Sequence, residues 1–526
     1  MKKRLISLLL VAVLVFSFAA CSGKKTGSNA AGSDAASLNN DSGITVDTVS
    51  GDAASGKNNS GTTGSGKQQA TSGANNTASG KTTASKSTGS KTTTGGKTPT
   101  AKGSNIQAAN TLKLKSGTKP MEKGLNFKGK TFSIAITEEG QYNTPSFKRM
   151  IAAFEKTYNC KLTVKTLKFN NYCQQITQQI AGGSTYDILL MHGVNYPNYA
   201  KNNLAEPLDK YITTADLMDN KNPSAGGIDA NKTSYFLYKN KIYGLCHYES
   251  CFPYFIYYNK KQFEKAGIED PRSLEKSGKW TWNKIISLGR KHTNTESGQY
   301  FVSNSFRSLG TIYAFGKPYV SVNNGKTTLN VSSTNIISGL NMIKKMFQGN
   351  SRIAEPNNNA SYPYNSEQTL LRGTTYMFME ESSKYINIAK EINTSLAFER
   401  NIGNLGVVRV PYGSTNKNKA YPTGWLTAVA AGKGTKDARV AVAWSKFMAS
   451  YKDTVNDKYN LPESYDNYRL ELLSGNICCE SGSWSTSDTD TRTLLAAINS
   501  DVASGKDVSQ TVTRYKDRMQ HCLDVN

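Results

Sequence analysis

The sequence predicts a two-lobed α/β protein held behind a long flexible leader. Three observations carry that expectation. Composition changes sharply near Asn126, where a stretch of Gly, Ser, Thr, Ala, Asn and Lys gives way to mixed apolar and polar sequence. Beyond it, segments alternating with a period of two are separated by segments of helical period, the pattern of a parallel sheet with helical crossovers. About 400 residues follow Asn126, more than one hydrophobic core usually holds, so two lobes are expected.

The chain opens on Met1-Lys-Lys-Arg, then an apolar run that ends in Phe18-Ala19-Ala20-Cys21. The run is short for a membrane span, which needs roughly 20 residues, and small residues at its end favour cleavage. This resembles the bacterial lipoprotein signal, which is cut before the cysteine so that the thiol receives lipid, palmitate for example. Residues 1–20 are then the signal peptide and Cys21 the lipidated residue. A plain signal peptide and an uncleaved anchor helix are the other readings of the same run.

Residues 21–125 lack the apolar content needed to offset the entropy of ordering and are expected to be a disordered linker. At about 100 residues its root-mean-square span is roughly 50–60 Å. The chain carries 64 Lys and Arg against 39 Asp and Glu, a net charge of +25. Many lysines of the linker are spaced by Gly, Ser and Thr rather than clustered with aromatics, which favours an anionic surface over nucleic acid. Eight cysteines include Cys21, and the odd number left cannot all pair within the chain. Cys246/Cys251 and Cys160/Cys173 are spaced to pair in an oxidising compartment, and a reducing one leaves them as small buried hydrophobes.

After the linker the elements follow in order. Thr131–Ile136 alternates as a strand. Thr144-Pro145 is a helix cap with proline in the first position, and Phe147, Met150, Ile151 and Phe154 share one helical face. Lys161–Leu167 alternates again. A helix through Gln174, Ile176 and Ile180 ends at Gly182-Gly183. Asp187–Met191 is the short apolar run of a buried parallel strand. Ligands on such sheets bind beyond the carboxyl ends of the strands.

These segments and their successors resemble the family 1 extracellular solute-binding proteins, the receptors of ABC importers, over residues 130–526. The landmarks are the helix Phe147–Tyr158, Gly182-Gly183-Ser-Thr-Tyr-Asp187-Ile188, and Asn203-Leu-Ala-Glu-Pro-Leu-Asp209-Lys-Tyr211. Lys241-Ile-Tyr-Gly244-Leu leads to Tyr257-Tyr-Asn-Lys-Lys261, then Phe263-Glu-Lys-Ala-Gly267, the most specific of the series. Trp280-Thr-Trp282, Thr375–Phe378, Gly406–Pro411, the helix Asp437–Ala449 and Ala497-Ile-Asn499 with Gly505 complete it.

The resemblance implies a periplasmic-binding-protein-like fold of type II, two α/β lobes closing on a ligand. One lobe would comprise 126–246 and 412–455, the other 247–411 and 456–526, with hinges near Tyr243–His247 and Val410–Tyr412. It also implies a monomeric, membrane-anchored receptor on the extracellular face that hands a solute, a saccharide by analogy, to ABC permease subunits. No cofactor, metal, catalytic role or nucleic-acid partner is implied. The alternatives are a sensor or wall-associated binding protein on the same fold, and an extracellular glycan hydrolase.

Saccharide pockets combine aromatic faces with planar polar groups. Cleft positions of the family map onto Glu139 and Tyr142 after the first strand, Asn195 and Tyr196 after Met191, His247 at the hinge, Glu380 and Glu381 after Met377, and Trp425 after the second crossing. Trp484 lies in a Gly/Ser-rich loop suited to capping the cleft. One departure stands out: Phe378-Met-Glu-Glu-Ser-Ser-Lys-Tyr385 is polar where many sugar binders carry an aromatic.

Two patterns carry no chemistry. Gly124-Leu-Asn-Phe-Lys-Gly-Lys-Thr131 fits the P-loop expression, but low-complexity sequence precedes it and a strand follows, the reverse of the required order. The four histidines are scattered, and Cys246-His247 with Cys251 lacks a fourth ligand.

Overall fold

In this computed structural model the described residues are 112–117, 119, 121, 123–137, 144–168, 172–193, 196–218, 226–349, 352–356, 367–424, 426–452, 462–479 and 491–525. All of them fall within one compact unit, Thr93–Asn526.

The strands of the first half are β1 (Lys130–Thr137), β2 (Cys160–Leu167), β3 (Ile188–His192), β4 (Ala205–Glu206), β5 (Leu237–Tyr238) and β6 (Lys241–Ile242). Those that follow are β7 (Tyr254–Asn259), β8 (Tyr300–Val302), β9 (Val320–Asn323), β10 (Lys326–Leu329), β11 (Thr375–Glu381) and β12 (Leu405–Arg409). The last three are β13 (Tyr421–Pro422), β14 (Thr427–Gly432) and β15 (Ile477–Cys478). Two larger sheets result, ordered β2-β1-β3-β14-β4 and β12-β7-β11-β8. Each anchors one lobe.

In the first sheet β1 runs parallel to β2 over the whole register Lys130↔Cys160 to Thr137↔Leu167, and parallel to β3. The strand–helix alternation of the sequence is therefore realised. The sheet is parallel only that far, because β14 returns from late in the chain and adds antiparallel to β3 and β4. Helix Pro145–Tyr158 starts where Thr144 accepts a hydrogen bond from the Phe147 amide, and it buries Phe147, Phe154 and Tyr158. Phe154 meets Trp444 of the helix Arg439–Ser450 edge-on at 5.0 Å, so Trp444 is core. A small void lined chiefly by apolar side chains, among them Ile134, Phe147, Leu190 and Trp444, lies beside this contact.

Asp187 explains the Gly-Gly-x-x-x-Asp-Ile motif. Buried at the start of β3, it accepts from the Ser133 amide at 2.8 Å, the Thr435 hydroxyl at 2.9 Å and the Lys436 amide at 2.8 Å. One carboxylate thus ties β1 to the link between β14 and its following helix. Such charge-assisted bonds are about twice as strong as neutral ones.

The second sheet is mixed: β7 is antiparallel to both β11 and β12, while β8 is parallel to β11. Alternation along β11 covers both faces. Tyr376 meets Phe263 on one side, and Met379 on the other lies where a Cβ on Gly310 would go. The Tyr-Tyr-Asn-Lys-Lys motif ends β7 and starts the helix Lys260–Lys265. Asn259 caps that helix by accepting from the Lys261 and Gln262 amides, and donates to the Ala397 carbonyl at 2.6 Å. The Tyr258 hydroxyl donates to Asp270 at 2.6 Å, and its ring fills the space a Cβ on Gly406 would need.

Two boundaries differ from expectation. Leu112, 2 % exposed, already packs in the first core, and Lys115 bridges to Thr213, so ordered structure begins before Asn126. Residues 413–420 stay with the second lobe: the Gly413 amide and the Asn416 side chain both donate to the Ala314 carbonyl. The chain therefore recrosses at Thr423–Thr427 rather than at Val410–Tyr412. Most of the basic surplus also lies beyond Leu112, not in the linker.

Candidate functional site

The two lobes are joined by segments that run side by side. Leu245 bridges to Val429 and Pro253 to Thr423, both antiparallel. The Thr427 amide donates to the Ser250 carbonyl and the Gly424 amide to the Phe252 carbonyl, each at 2.7 Å. A third segment joins them, since the Thr423 amide donates to the Cys478 carbonyl at 2.9 Å. This junction lies against the carboxyl end of β3, where His192 pairs with Thr427 across the sheet. Beyond strand ends of this kind α/β sheets present ligand crevices.

Glu381 stands at the end of β11, partly buried, where a Cβ on Gly424 would collide with its carboxyl. Glycine at 424 therefore lets the acid lie against the crossing backbone. Burial, with Glu380 beside it, pushes the Glu381 pKa up to about 8 against the pull of Arg492 and Lys384. Glu380 points to the opposite face of the strand, accepts from the Glu381 amide at 3.1 Å and is 6 % exposed. Burial raises its pKa to about 7, opposed by that amide and by Lys384. The two acids are thus neighbours along the chain, with different surroundings. The Ser382 hydroxyl is buried beside them without a hydrogen-bond partner among the described residues.

His247 forms a turn. Its amide donates to the Ser250 hydroxyl at 2.9 Å, and its Nδ1 accepts from the Glu249 amide at 3.2 Å. That acceptor role fixes a neutral ring with the proton on Nε2. Burial lowers its pKa to about 4, and burial does the same for His192. Tyr196 is 1 % exposed, its ring tilted against Phe236 at 5.1 Å, and burial drives its pKa upward. It therefore sits in the core beneath the β5–β6 hairpin. Glu139, Tyr142, Asn195, Trp425 and Trp484 lie outside the described residues, as does Cys21.

The structure adds groups that sequence reasoning missed. Arg469, on the helix Glu463–Leu473, pairs with Glu249 of the first crossing at 2.9 Å and with Asp466 at 2.6 Å. Burial works against the Glu249 charge, but Arg469 outweighs it and holds its pKa below the ordinary value. The Asp466–Arg469 spacing is visible as i, i+3 on a helix; the Glu249 partner, 220 residues away, is not. Lys232, fully buried, pairs with Asp229 and donates to the Leu473 carbonyl at 3.2 Å. Cys160, Cys246 and Cys251 are buried free thiols, and Cys478, Cys479 and Cys522 are buried cysteines. Among the described residues no group of three His, Cys, Asp or Glu is placed to hold a metal ion, and no helix is long and apolar enough to cross a membrane.

Two sheet-based lobes, paired crossings and polar groups at the junction define a two-lobed, periplasmic-binding-protein-like architecture. The chain belongs to the bacterial extracellular solute-binding protein family, whose model matches residues 140–454. That is a family of binding proteins, not enzymes. Solved structures share the fold. The sugar-binding protein MalE from Xanthomonas citri aligns with a TM-score of 0.55 at 14% identity, over 75% of this chain and 97% of its own. A Staphylococcus aureus extracellular solute-binding protein in complex with maltose gives 0.53 at 12% identity, covering 75% and 98%. An ABC substrate-binding protein from Listeria monocytogenes in complex with cycloalternan gives 0.52 at 17% identity, covering 75% and 99%. Among curated proteins, none matches the sequence.

Proposed function

We propose that this chain is the saccharide receptor of an ABC importer, tethered through lipid on Cys21 to the extracellular face of the membrane. The observation that carries the reading is the inter-lobe junction, where Glu381 rests on Gly424 between paired crossings. The saccharides bound by the structural relatives support the solute class. Glu381, with Glu139, Tyr142, Asn195, Trp425 and Trp484, would supply the hydroxyl acceptors and ring-stacking faces. Glu380, His247 and Tyr196, all buried, would shape that site from behind.

A solute touching both lobes binds the closed form more tightly and shifts the open–closed equilibrium by that difference in affinity. The permease subunits would read the closed form. The test is calorimetry and thermal shift of the purified chain against mono-, di- and oligosaccharides and polyols. One saccharide should raise the melting temperature and bind with 1:1 stoichiometry, and Glu381→Gln should weaken it. Absence of binding across the whole set would refute the saccharide assignment.

A further inference from the structure

Away from the crossings, the lobes also meet at the tips of two hairpins. β5 and β6 form the first, closed by Lys239-Asn240 with φ of 48° and 59°. β9 and β10 form the second, closed by Asn324-Gly325 with φ of 50° and 81°. Two left-handed residues in succession are the signature of the tight two-residue hairpin turn, where Asn and Gly are favoured. The first hairpin belongs to the first lobe: Leu237 and Ile242 sit in its core, and the Leu208 amide donates to the Ile242 carbonyl. The second belongs to the other lobe, where Tyr319, just before β9, donates its hydroxyl to Asn499 at 2.9 Å.

The tips are joined reciprocally. The Asn240 amide N–H donates to Asn324 Oδ1 at 2.7 Å, and Asn324 Nδ2 donates to Asn240 Oδ1 at 3.1 Å. Beside them the Tyr238 ring lies so close over Gly325 that a Cβ there would overlap it. The two asparagines each satisfy a turn and reach the other lobe at once.

We propose that this contact between turns is an inter-lobe clasp that holds the lobe angle seen here. The inference rests on the two-lobed fold and is independent of which solute the protein binds. A clasp of two exposed hydrogen bonds is weak enough to open and strong enough to bias the angle. Each bond favours the joined state about fivefold.

The test uses the purified full chain. Hydrogen exchange reads the Asn240 amide, and fluorophores on unnatural amino acids at Lys165 and Lys345 read the distance between lobes. Asn240→Gly and Asn324→Gly are the informative variants, because glycine keeps each left-handed turn while deleting the amide. The Asn240 amide should be protected in the unaltered chain. Asn324→Gly deletes both bonds, so it should cut that protection by up to about 25-fold and broaden the distance distribution, while the β9–β10 ladder amides stay protected and show the hairpin intact. Asn240→Gly deletes only the bond accepted by its Oδ1, so its distance effect should be smaller, and the double variant should match Asn324→Gly alone, the coupling expected of residues in contact. An unprotected Asn240 amide, an unchanged distance distribution or additive effects would overturn the clasp.

Discussion

Asp216 offers the sharpest test of how the leader joins the folded body. It is fully buried and accepts hydrogen bonds from the Thr213 amide at 2.8 Å and hydroxyl at 3.2 Å, the Met121 amide at 2.9 Å and Lys446 Nζ at 3.0 Å. Asp216→Ala removes these bonds and with them the ion pair to the Lys446 ammonium, whose side chain is 9 % exposed. Breaking a buried ion pair from one side costs about 3–5 kcal/mol, and losing the Thr213–Asp216 capping box adds about 1 kcal/mol. Allowing for water reaching Lys446, about 4 kcal/mol is expected. At about 2.1 cal/mol/K of unfolding entropy per residue, that is about 11 °C for a first lobe of about 170 residues melting alone, or about 5 °C if about 400 residues melt together. Differential scanning calorimetry measures the shift and distinguishes the two cases. Limited proteolysis should cut near Met121 only in the variant. A loss below about 1 kcal/mol, the size expected of Thr213→Ala alone, would refute the ion pair as the anchor.

The other expectations concern the junction and the tether. Glu380, raised from 4.5 to about 7, contributes its full stability below pH 4.5 and loses it as pH climbs through 7. Glu380→Gln should therefore stabilise the protein at pH 8.5 by up to about 3 kcal/mol and leave it unchanged near pH 4; equal effects at both would contradict the burial argument. His192 and His247, lowered to about 4, act in the opposite sense, costing stability as pH falls from 6.5 to 4, so only the difference between variant and parent isolates Glu380. Gly424→Ala places a methyl in the space of the Glu381 carboxyl, the movable end of a side chain. The fold should survive within about 1 kcal/mol while saccharide affinity falls about tenfold; a large loss in melting temperature would count against that view. Cys21→Ala should release the chain to the medium with solute affinity intact, measured by fractionation and calorimetry.

What the sequence reveals and what it hides divides along a physical line. Local rules give the first sheet its order: Thr144-Pro145 caps a helix, Gly182-Gly183 ends one, and Asp187-Ile188 opens a buried strand. The Tyr257–Lys261 motif is legible because cap, strand end and helix start are adjacent in the chain. Antiparallel insertion of β14 is not, since its apolar Ala-Val-Ala-Ala run pairs with β3 across more than 230 residues and nothing local specifies direction. The recrossing at Thr423–Thr427 is hidden for the same reason: Asn416 holds residues 413–420 to Ala314 through a bond that only the tertiary structure creates.

The candidate site follows the same division, with a further consequence. Alternation along β11 already implies that Glu380 and Glu381 face opposite sides, so two acids adjacent in sequence, close enough for Glu380 to raise the Glu381 pKa, still meet different surroundings. The sequence marks both as acids; it takes Gly424, 43 positions on, to show which one meets the crossing. Arg469 and the two hairpin tips share this character. Each consists of ordinary residues made functional by a partner far along the chain. Residues that matter to a clamshell are those whose partners lie in the other lobe or in its crossings. Their roles come from contacts that local pattern cannot encode, so the hinge and clasp, more than the core, are where structure adds most to the sequence.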